Sequence, residues 1–305
     1  MDQPDNLRKI HKKPVPLAGG ILLFLNLFIF FLLVNFHNEI LNQEIIFNDK
    51  NSLYIFFLIS FCFFLLGFFD DKFDIPANIK FLISTLILLS LTYLDKGIIL
   101  NDIKFSFYDK SILLNKYKIL FTIFCFLVFT NAFNMFDGIN LQSSLYSIFI
   151  LSCILFFYSN NLLINILLIS LISFAYLNYT NKAFLGDSGS LLLAFIISYI
   201  FIKLYNLNFI EYSDKVVIYM LIPGIDLVRL FIIRILKKRN PLSPDKLHLH
   251  HILLKHFSQH QTLSIILFFI STPIILDYLN INNIITVSVT IILYFCLLTA
   301  IKIKE

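Results

Sequence analysis

Residues 65–76 read LLGFFDDKFDIP, so an apolar run gives way abruptly to three aspartates, Asp70, Asp71 and Asp74. The apolar part belongs to one of about ten such runs, each roughly 16 to 21 residues long, enough to cross a ~30 Å hydrocarbon layer. Hydrophobic residues make up 58% of the 305-residue chain, and its mean hydropathy is +0.84. The chain is therefore predicted to be an all-α, polytopic membrane protein.

The apolar runs fill most of the chain, which leaves no room for a separate soluble domain. We therefore interpret residues 1–305 as a single integral-membrane domain. The residues before the first run are polar and lack a signal-peptide pattern, so the first span is expected to stay in the mature protein. The predicted spans are 17–36, 53–69, 79–94, 117–134, 141–158, 162–180, 189–205, 215–235, 263–279 and 284–301.

The basic residues predict the orientation of these spans. With a cytoplasmic N-terminus, the inside loops and helix ends hold 16 of the 24 Lys and Arg residues, including all four arginines. Both termini and the site are then cytoplasmic, in a multi-pass protein of the inner (cytoplasmic) membrane. The net charge of +5 follows mainly from this topology, with attraction to anionic lipid as a second effect, and does not imply nucleic-acid binding. The four cysteines lie inside spans without ligand-like spacing, which predicts neither disulfides nor a zinc site.

Four polar clusters fall on the predicted cytoplasmic side. One such cluster at a membrane boundary is most simply a solvated loop, but four on one side indicate a functional site. The charges of the outside loops are spread singly and indicate ordinary solvated surface. The clusters are DDKFD (70–74), NAFNMFDGIN (131–140), FLGDSGS (184–190), and PGIDLVRLFIIR (223–234) with PLSPDKLHLHH (241–251).

The first two clusters offer oxygen ligands. A helix that continues past the membrane places Asp70 and Asp74 on one face, with Asp71 about 100° away. Such oxygens suit Mg²⁺, which usually keeps some waters and shares phosphate oxygens. In the second cluster, carboxamide and carboxylate side chains recur at every third residue and form a ridge if the stretch is helical: Asn131, Asn134, Asp137 and Asn140.

The third cluster combines glycines, serines and one acid. Gly186 and Gly189 permit a tight turn, and Ser188 or Ser190 is expected to cap the helix that follows. The free N–H groups of such a helix end attract a phosphate. Asp187 at this place then makes sense as a metal ligand that brings a cation to the phosphate. The alternative is an acidic residue that only favours the helix dipole.

The last cluster is rich in histidine, because five of the seven histidines lie in residues 248–260. A zinc site is one interpretation. The neighbouring lysines and the absence of a nearby cysteine favour contact with phosphate or sugar, as a cation or through hydrogen bonds.

In this order, the motifs DNLRKIHKKPVPLAGG, DDKFD, NAFNMFDGIN, FLGDSGS and PLSPDKLHLHH resemble the polyprenyl-phosphate N-acetylhexosamine-1-phosphate transferases of glycosyltransferase family 4. The chain is more similar to the bacterial undecaprenyl-phosphate GlcNAc-1-phosphate transferases than to phospho-MurNAc-pentapeptide transferase. The resemblance implies a UDP-N-acetylhexosamine donor, an undecaprenyl phosphate acceptor, Mg²⁺ with Mn²⁺ as a substitute, and a lipid-linked cell-wall or O-antigen (lipopolysaccharide) glycan as the product's destination. The resemblance does not decide whether the protein forms a homodimer.

The resemblance also implies roles for single residues. Phe184 is expected to stack on uracil, with Asp137 and Asn140 at the uridine and Lys13 beside the nucleotide. The implied catalytic residues are Asp70, Asp71, Asp187, His248, His250 and His251. The implied substrate-binding residues are Lys13, Asn131, Asp137, Asn140 and Phe184, and the implied metal ligands are Asp187, Asn134 and Asp71.

Two departures from the family pattern stand out. Relatives often carry a glycine after the residue that matches Asn140, whereas this chain continues with LQSS. A close approach of the backbone that glycine would permit is therefore expected to be altered here. Relatives also commonly carry one more span before DNLRKIH. We expect either a trimmed start or a branch of the family without that helix.

Two other classes of protein compete with this interpretation. A transporter would place its substrate and ion ligands near the bilayer midplane, whereas the centres of the predicted spans are almost free of charge. A CDP-alcohol phosphotransferase would need an extended acidic signature after the DG dipeptide, which DGINLQSS lacks.

Overall fold

A computed structural model describes residues 14–37, 44–47, 49–158, 161–241 and 245–302. The predicted nucleotide-binding residue Lys13 lies outside this part of the chain. Within it we find eleven α-helices and one two-stranded sheet. The helices are α1 (Gly19–Phe36), α2 (Lys50–Phe73), α3 (Ala77–Leu94), α4 (Lys118–Phe136), α5 (Gln142–Phe157), α6 (Leu162–Tyr179), α7 (Gly186–Asn206), α8 (Ser213–Leu236), α9 (Leu249–Leu254), α10 (Gln259–Tyr278) and α11 (Asn283–Lys302).

Nine helices of the described residues are long and apolar enough to cross a membrane, which confirms a polytopic, largely helical protein. A helix lies at each of the ten predicted spans. The fifth, α5, has only 16 residues. At 1.5 Å per residue it is about 24 Å long, shorter than a ~30 Å hydrocarbon layer. The sidedness of the termini stays a prediction.

The helix α7 differs from the other spans in its burial. Its most apolar 18-residue window is 100% buried, whereas the corresponding windows of the other eight spans are at most 50% buried. A helix that is apolar on all sides packs against protein on all sides, while a span at the rim turns half of its surface to lipid. The first turn of α7 carries Asp187, so this buried helix holds one predicted site residue at its start.

The described residues divide into two compact units. The first comprises residues within Met1–Asp95 and Asn140–Ile197. In it, α1 packs against α2 and α6, α2 packs against α3, and α5 packs against α6. Aromatic stacking supports these contacts: the Phe24 and Phe64 rings lie 4.7 Å apart, and Phe63 lies 5.0 Å from Phe195 of α7.

The second unit comprises residues within Lys96–Ile139 and Ser198–Glu305. Here α8 packs against α4, α10 and α11, and the short α9 packs against α10. The helix α8 is therefore the framework of this unit, and it carries the acidic and basic residues of the PGIDLVRLFIIR motif. The prediction of a single membrane domain stays a prediction.

One short β-hairpin accompanies the helices in the part of the chain that the structure describes. The strands β1 (Asp102–Phe105) and β2 (Tyr108–Leu113) pair antiparallel in a loop that we interpreted as ordinary solvated surface. The hairpin is held from outside, since Asp214 at the start of α8 accepts hydrogen bonds from the Ser106 amide (3.0 Å) and hydroxyl at the turn. This tertiary contact stabilises a short hairpin that would be marginal alone.

Candidate active site

Three aspartates and one lysine meet in the first unit, and we call this group the aspartate cluster: Asp70, Asp71, Lys80 and Asp187. Asp70 is buried, and its Oδ1 accepts a hydrogen bond from the Ile75 amide (2.9 Å). Its Oδ2 forms an ion pair with Lys80, whose Nζ lies 3.6 Å from Oδ2 of Asp187. Two carboxylates from different helices therefore share one ammonium group, and the Asp187 side chain remains 37% exposed.

Asp71 has a different environment from its neighbour. Its carboxylate accepts hydrogen bonds from the Asp187 amide (2.7 Å), the Ser188 amide (3.1 Å) and the Ser188 hydroxyl (2.8 Å). Asp71 thus supplies from α2 the cap of α7 that we expected from Ser188 or Ser190. It also corrects the expectation of a free helix end for phosphate, because two of those N–H groups already bind the Asp71 carboxylate.

Close backbone approach brings α2 to the start of α7. Gly67 lies so near the Asp187 carbonyl and the Ser188 Cα that a Cβ at Gly67 would overlap both. One turn later, α2 presents Asp70 and Asp71 to the first residues of α7. The helix ends at Phe73, and Asp74 follows as its C-cap with φ 49° and an exposed side chain. The helix thus extends through Asp70 and Asp71 but stops just before Asp74, so the expectation that Asp70 and Asp74 share one helix face is wrong.

Two predicted uridine-binding residues also lie in the first unit. The backbone of Phe184 pairs with the segment before α1, since its amide donates to the Pro16 carbonyl (3.0 Å) and its carbonyl accepts from the Gly19 amide (3.0 Å). Asn140 donates from Nδ2 to the Asn181 Oδ1 (2.6 Å) and to the Asn178 carbonyl (3.2 Å). Both are fixed by local contacts, and their uridine-binding roles stay predictions.

Leu141 occupies the position where the family resemblance implies glycine. Its φ is 71°, in the left-handed region that a leucine adopts only under strain. The Leu141 amide donates to Oδ1 of Asn178 (2.6 Å), which holds this turn in place. The chain therefore keeps the backbone conformation that glycine would favour. The leucine at this position adds strain to the turn and leaves its conformation unchanged.

The predicted ridge of oxygens in the second cluster is only partly helical. Helix α4 contains Asn131 and Asn134, but it ends at Phe136, and Asp137 is its C-cap. The Asn131 amide nitrogen donates to the Leu127 carbonyl (2.7 Å) within the helix. Because the helix ends before Asp137 and Asn140, the predicted continuous ridge is wrong.

The second unit brings the three predicted histidines together. The rings of His248 and His250 are parallel to within 9° at 5.5 Å, and His251 lies 4.3 Å from His250. His250 also packs against Gly138 of the DG dipeptide, so closely that a Cβ at Gly138 would overlap the imidazole. Two motifs that are more than 100 residues apart in sequence thus meet in this unit.

Burial lowers the pKa of two of these histidines, His250 and His251. It is the main cause that lowers the pKa of His250 to about 3, and the nearby His251 and His248 lower it further. Burial likewise lowers the pKa of His251. At neutral pH, His250 is therefore uncharged, and it can contact a ligand only through hydrogen bonds or packing. The sequence had left both a cationic and a neutral role open.

The sequence analysis missed Lys80 in the first unit, and Asp226, Arg229 and Tyr294 in the second. A signal for Lys80 was present, because a cation in the first turn of an apolar helix opposes the helix dipole and needs an acidic partner. Asp226 and Arg229 lie three apart in an apolar helix, a spacing that predicts an ion pair. Nothing in the sequence pointed to Tyr294.

The predicted metal ligands can be located, but their roles stay predictions. Within the described ranges, no group of three His, Cys, Asp or Glu side chains is arranged to hold a metal ion. Asp187 and Asp70 approach a common cation, and the Asp71 oxygens are taken by the start of α7. Asn134 lies in the other unit.

Comparison with known proteins identifies the family. The family model for "Glycosyl transferase family 4" matches residues 53–205, half of the chain, from the first turn of α2 to the end of α7. The chain belongs to glycosyl transferase family 4. The match covers the whole aspartate cluster and the predicted residues from Asn131 to Asn140.

Curated relatives extend this family match over most of the chain. An undecaprenyl-phosphate alpha-N-acetylglucosaminyl 1-phosphate transferase of Thermotoga maritima is 29% identical over 272 residues, 88% of this chain and 78% of the relative. A probable undecaprenyl-phosphate N-acetylglucosaminyl 1-phosphate transferase of Bacillus subtilis is 27% identical, over 88% of this chain and 74% of the relative. A protein of Escherichia coli K12 with the same name as the Thermotoga protein is 26% identical, over 84% of this chain and 69% of the relative. These alignments cover 84% to 88% of the chain and so extend beyond the half that the family model matches.

Proposed function

We propose that this chain transfers GlcNAc 1-phosphate from UDP-GlcNAc to undecaprenyl phosphate. In this reaction an oxygen of the lipid phosphate bonds to the β-phosphorus of the donor. The bond from that phosphorus to the bridging oxygen breaks, so that UMP leaves and undecaprenyl diphosphate-GlcNAc remains. The names of the relatives, which align over most of the chain, support this donor and acceptor.

The aspartate cluster at the end of a membrane-length helix carries the proposal. The final turns of α2 bear exposed aromatic side chains, Phe68, Phe69 and Phe73, beside the carboxylates Asp70 and Asp71. A prenyl chain prefers the apolar face, while its phosphate requires the polar end of the same helix. This arrangement suits an enzyme whose acceptor lies in the bilayer and whose donor is dissolved in the cytosol.

The donor set of the cluster fits a magnesium ion. Mg²⁺ is usually bound by one or two carboxylates together with waters and substrate phosphates. Asp70 and Asp187 both approach the Lys80 ammonium, so the two carboxylates are close enough to share one cation. We propose that Asp187 and Asp70 hold the ion. When bound, Mg²⁺ would neutralise charge on the diphosphate, and Mn²⁺ would substitute for it.

The protein residues would position the substrates and balance their charge. Asp71 fixes the start of α7 and thereby holds Asp187 at its place, since its carboxylate accepts from the Asp187 amide. The Lys80 ammonium supplies positive charge near the acidic pair. Phosphoryl transfer of this kind depends on alignment and electrostatic stabilisation rather than on a protein nucleophile. We assign Phe184, Asp137 and the histidines to the sugar nucleotide, as the family resemblance implies.

We further propose that the site faces the cytoplasm and that the protein belongs to the inner membrane. The asymmetry of the Lys and Arg residues supports this orientation, and UDP-sugars are cytoplasmic donors. The product would then begin a lipid-linked surface glycan.

Product formation tests the proposed reaction. Purified protein in detergent is incubated with undecaprenyl phosphate, Mg²⁺ and one donor from a panel of UDP-GlcNAc, UDP-GalNAc and UDP-MurNAc-pentapeptide. We expect mass spectrometry to detect undecaprenyl diphosphate-GlcNAc with the first donor and no product when the lipid is omitted. A product only with UDP-MurNAc-pentapeptide would replace the proposed donor. No product with any donor would refute the proposed reaction.

A further inference from the structure

An acidic residue inside the membrane-length helix α8 has no role in the proposed reaction. Asp226 is 5% exposed, and Arg229 donates from Nη2 to its Oδ1 over 2.7 Å. A buried charge costs free energy unless hydrogen bonds satisfy it. The sequence places this pair in the PGIDLVRLFIIR motif, which the family resemblance left without a function.

Asp226 accepts hydrogen bonds on both oxygens. Besides Arg229, the Tyr294 hydroxyl (2.7 Å) and the Leu249 amide (3.2 Å) donate to Oδ1. The Oδ2 atom lies 3.0 Å from Nδ1 of His248. Arg229 also donates from Nε to the Tyr294 oxygen (3.0 Å), so the hydroxyl hydrogen is directed at Asp226. The Oδ1 atom therefore accepts three hydrogen bonds, from Arg229, Tyr294 and the Leu249 amide, and each of these groups can only donate to it.

This pattern decides which nitrogen of His248 carries hydrogen. A carboxylate surrounded by donors is itself only an acceptor, so the Nδ1 atom of His248 must donate to it. The hydrogen bond of one ring nitrogen sets the state of the other, which leaves Nε2 as the nitrogen that can still bind a ligand.

The backbone beside His248 is also held by α8. Arg229 donates to the Leu247 carbonyl (2.5 Å), while Asp226 accepts from the Leu249 amide on the other side of His248. Further along α8, the buried Arg234 donates to Asp245 (2.8 Å) and to the Pro241 carbonyl (2.6 Å). The ring of His248 is thus fixed in position by its flanking backbone and in rotation by its hydrogen bond.

We infer that Asp226 is a positioning residue for His248, which holds the imidazole with Nδ1–H toward α8 and presents Nε2 to the sugar diphosphate. The sugar diphosphate as ligand rests on the proposed function, whereas the state of the ring rests on the contacts of the second unit alone. Tyr294 and Arg229 complete the arrangement by holding the Asp226 carboxylate.

The substitution Asp226→Asn makes the inference testable, because an amide has one acceptor and one donor end. The three donors around Oδ1 require the amide oxygen there, so the NH₂ group faces Nδ1 of His248. That nitrogen must then accept, and the ring hydrogen moves to Nε2. A matched control is Asp214→Asn in the first turn of α8, where a buried carboxylate accepts hydrogen bonds from Ser106 and Asn283.

The state of the ring is read from the ¹⁵N spectrum of histidine-labelled protein at pH 8, with the His248 signals assigned by their loss in His248→Gln. We expect a protonated Nδ1 in the parent protein and in Asp214→Asn, and an unprotonated Nδ1 in Asp226→Asn. An unprotonated Nδ1 in the parent protein, or an unchanged Nδ1 in Asp226→Asn, would overturn the inference. This reading does not depend on the reaction.

Kinetics separate positioning from a structural role. We expect Asp226→Asn to lower kcat about 100-fold, with little change in KM for UDP-GlcNAc, and to cause no further loss when His248 is already Gln. Asp214→Asn should keep the parent kcat. An equal loss in both backgrounds would make Asp226 merely structural. An inactive parent protein would refute the proposed function, and the ¹⁵N spectrum would still decide the inference about Asp226.

Discussion

In the aspartate cluster, two carboxylates share one ammonium group, whereas in the second unit one carboxylate accepts hydrogen bonds from four donors. The Asp187 side chain of the aspartate cluster is 37% exposed, and its Oδ2 lies 3.6 Å from the Lys80 ammonium. Asp226 is buried, and Arg229, Tyr294, Leu249 and His248 all lie within hydrogen-bonding distance of it.

This difference indicates two kinds of task. Excess carboxylate at an accessible position attracts a cation or a cationic partner, because like charges repel until one is neutralised. A carboxylate with a full set of donors has no capacity for another ligand and instead fixes the groups around it. The first region is suited to bind a charged ligand, and the second is suited to hold an imidazole in one orientation.

The largest expected effect is that of Asp187→Asn. The substitution removes a charge from the cluster, so we expect turnover to fall more than about 1,000-fold. Because Asp187 is partly exposed, the thermal unfolding temperature should stay close to that of the parent. EDTA should also abolish turnover, and Mg²⁺ or Mn²⁺ should restore it.

The control for this substitution is Asp74→Asn at the exposed end of α2, where φ is 49° and asparagine is equally well accommodated. This variant should keep parent activity. Full turnover of Asp187→Asn at saturating substrate would show that the cluster does not bind the ion through this carboxylate.

The histidines of the second unit can be disturbed by Gly138→Ala, a substitution that is distant in sequence but in contact with His250. The added Cβ would overlap the His250 imidazole, so we expect a loss of about 1–3 kcal/mol of stability and reduced turnover. Gly224→Ala in α8 is the matched control, because nothing lies within 4 Å of its added Cβ. That control should be neutral or stabilise the helix by about 1 kcal/mol. Equal unfolding temperatures of the two variants would mean that the packing of His250 on Gly138 is unimportant.

The buried His250 predicts a dependence of stability on pH. Its folded pKa of about 3 lies below the ordinary value of 6.5, so the unfolded chain binds a proton first as the pH falls. The stability that comes from the neutral imidazole is complete above pH 6.5. It decreases toward pH 3 by at most about 1.4 kcal/mol per pH unit. Thermal unfolding between pH 7 and pH 5 should show a smaller slope for His250→Gln than for the parent. Identical slopes would contradict a buried, neutral His250.

The smallest expected effect concerns Leu141 in the first unit. At φ 71°, glycine relieves the strain of the left-handed backbone, whereas alanine does not. Both substitutions remove the leucine side chain, so their comparison isolates the backbone term. We expect Leu141→Gly to be about 1 kcal/mol more stable than Leu141→Ala. A more stable alanine variant would mean that the turn does not keep this conformation.

The membrane-spanning helices were predictable because their signal is local. An apolar run of the required length specifies a span by itself, and a helix lies at each of the ten predicted spans. The end of α2 was less predictable. The helix continues through Asp70 and Asp71 because partners from α3 and α7 bind these carboxylates, and no such partner is visible in a local pattern.

The arrangement of the site was predictable only in part. The spacing of His248, His250 and His251 predicts a group, and the three rings do lie together. Their burial, and hence the neutral state of His250, depends on residues such as Gly138 that are distant in sequence. The β-hairpin was missed for a similar reason, because Asp214 at the start of α8 stabilises its turn.

Isotope exchange tests the proposed transfer most directly. Labelled UMP is added to the purified protein with UDP-GlcNAc, Mg²⁺ and undecaprenyl phosphate, and the label in UDP-GlcNAc is measured over time. If GlcNAc 1-phosphate passes reversibly to the lipid, label enters UDP-GlcNAc only when undecaprenyl phosphate is present, and Asp187→Asn prevents it. Label that enters UDP-GlcNAc without the lipid, or none in the complete mixture, would contradict the proposed reaction.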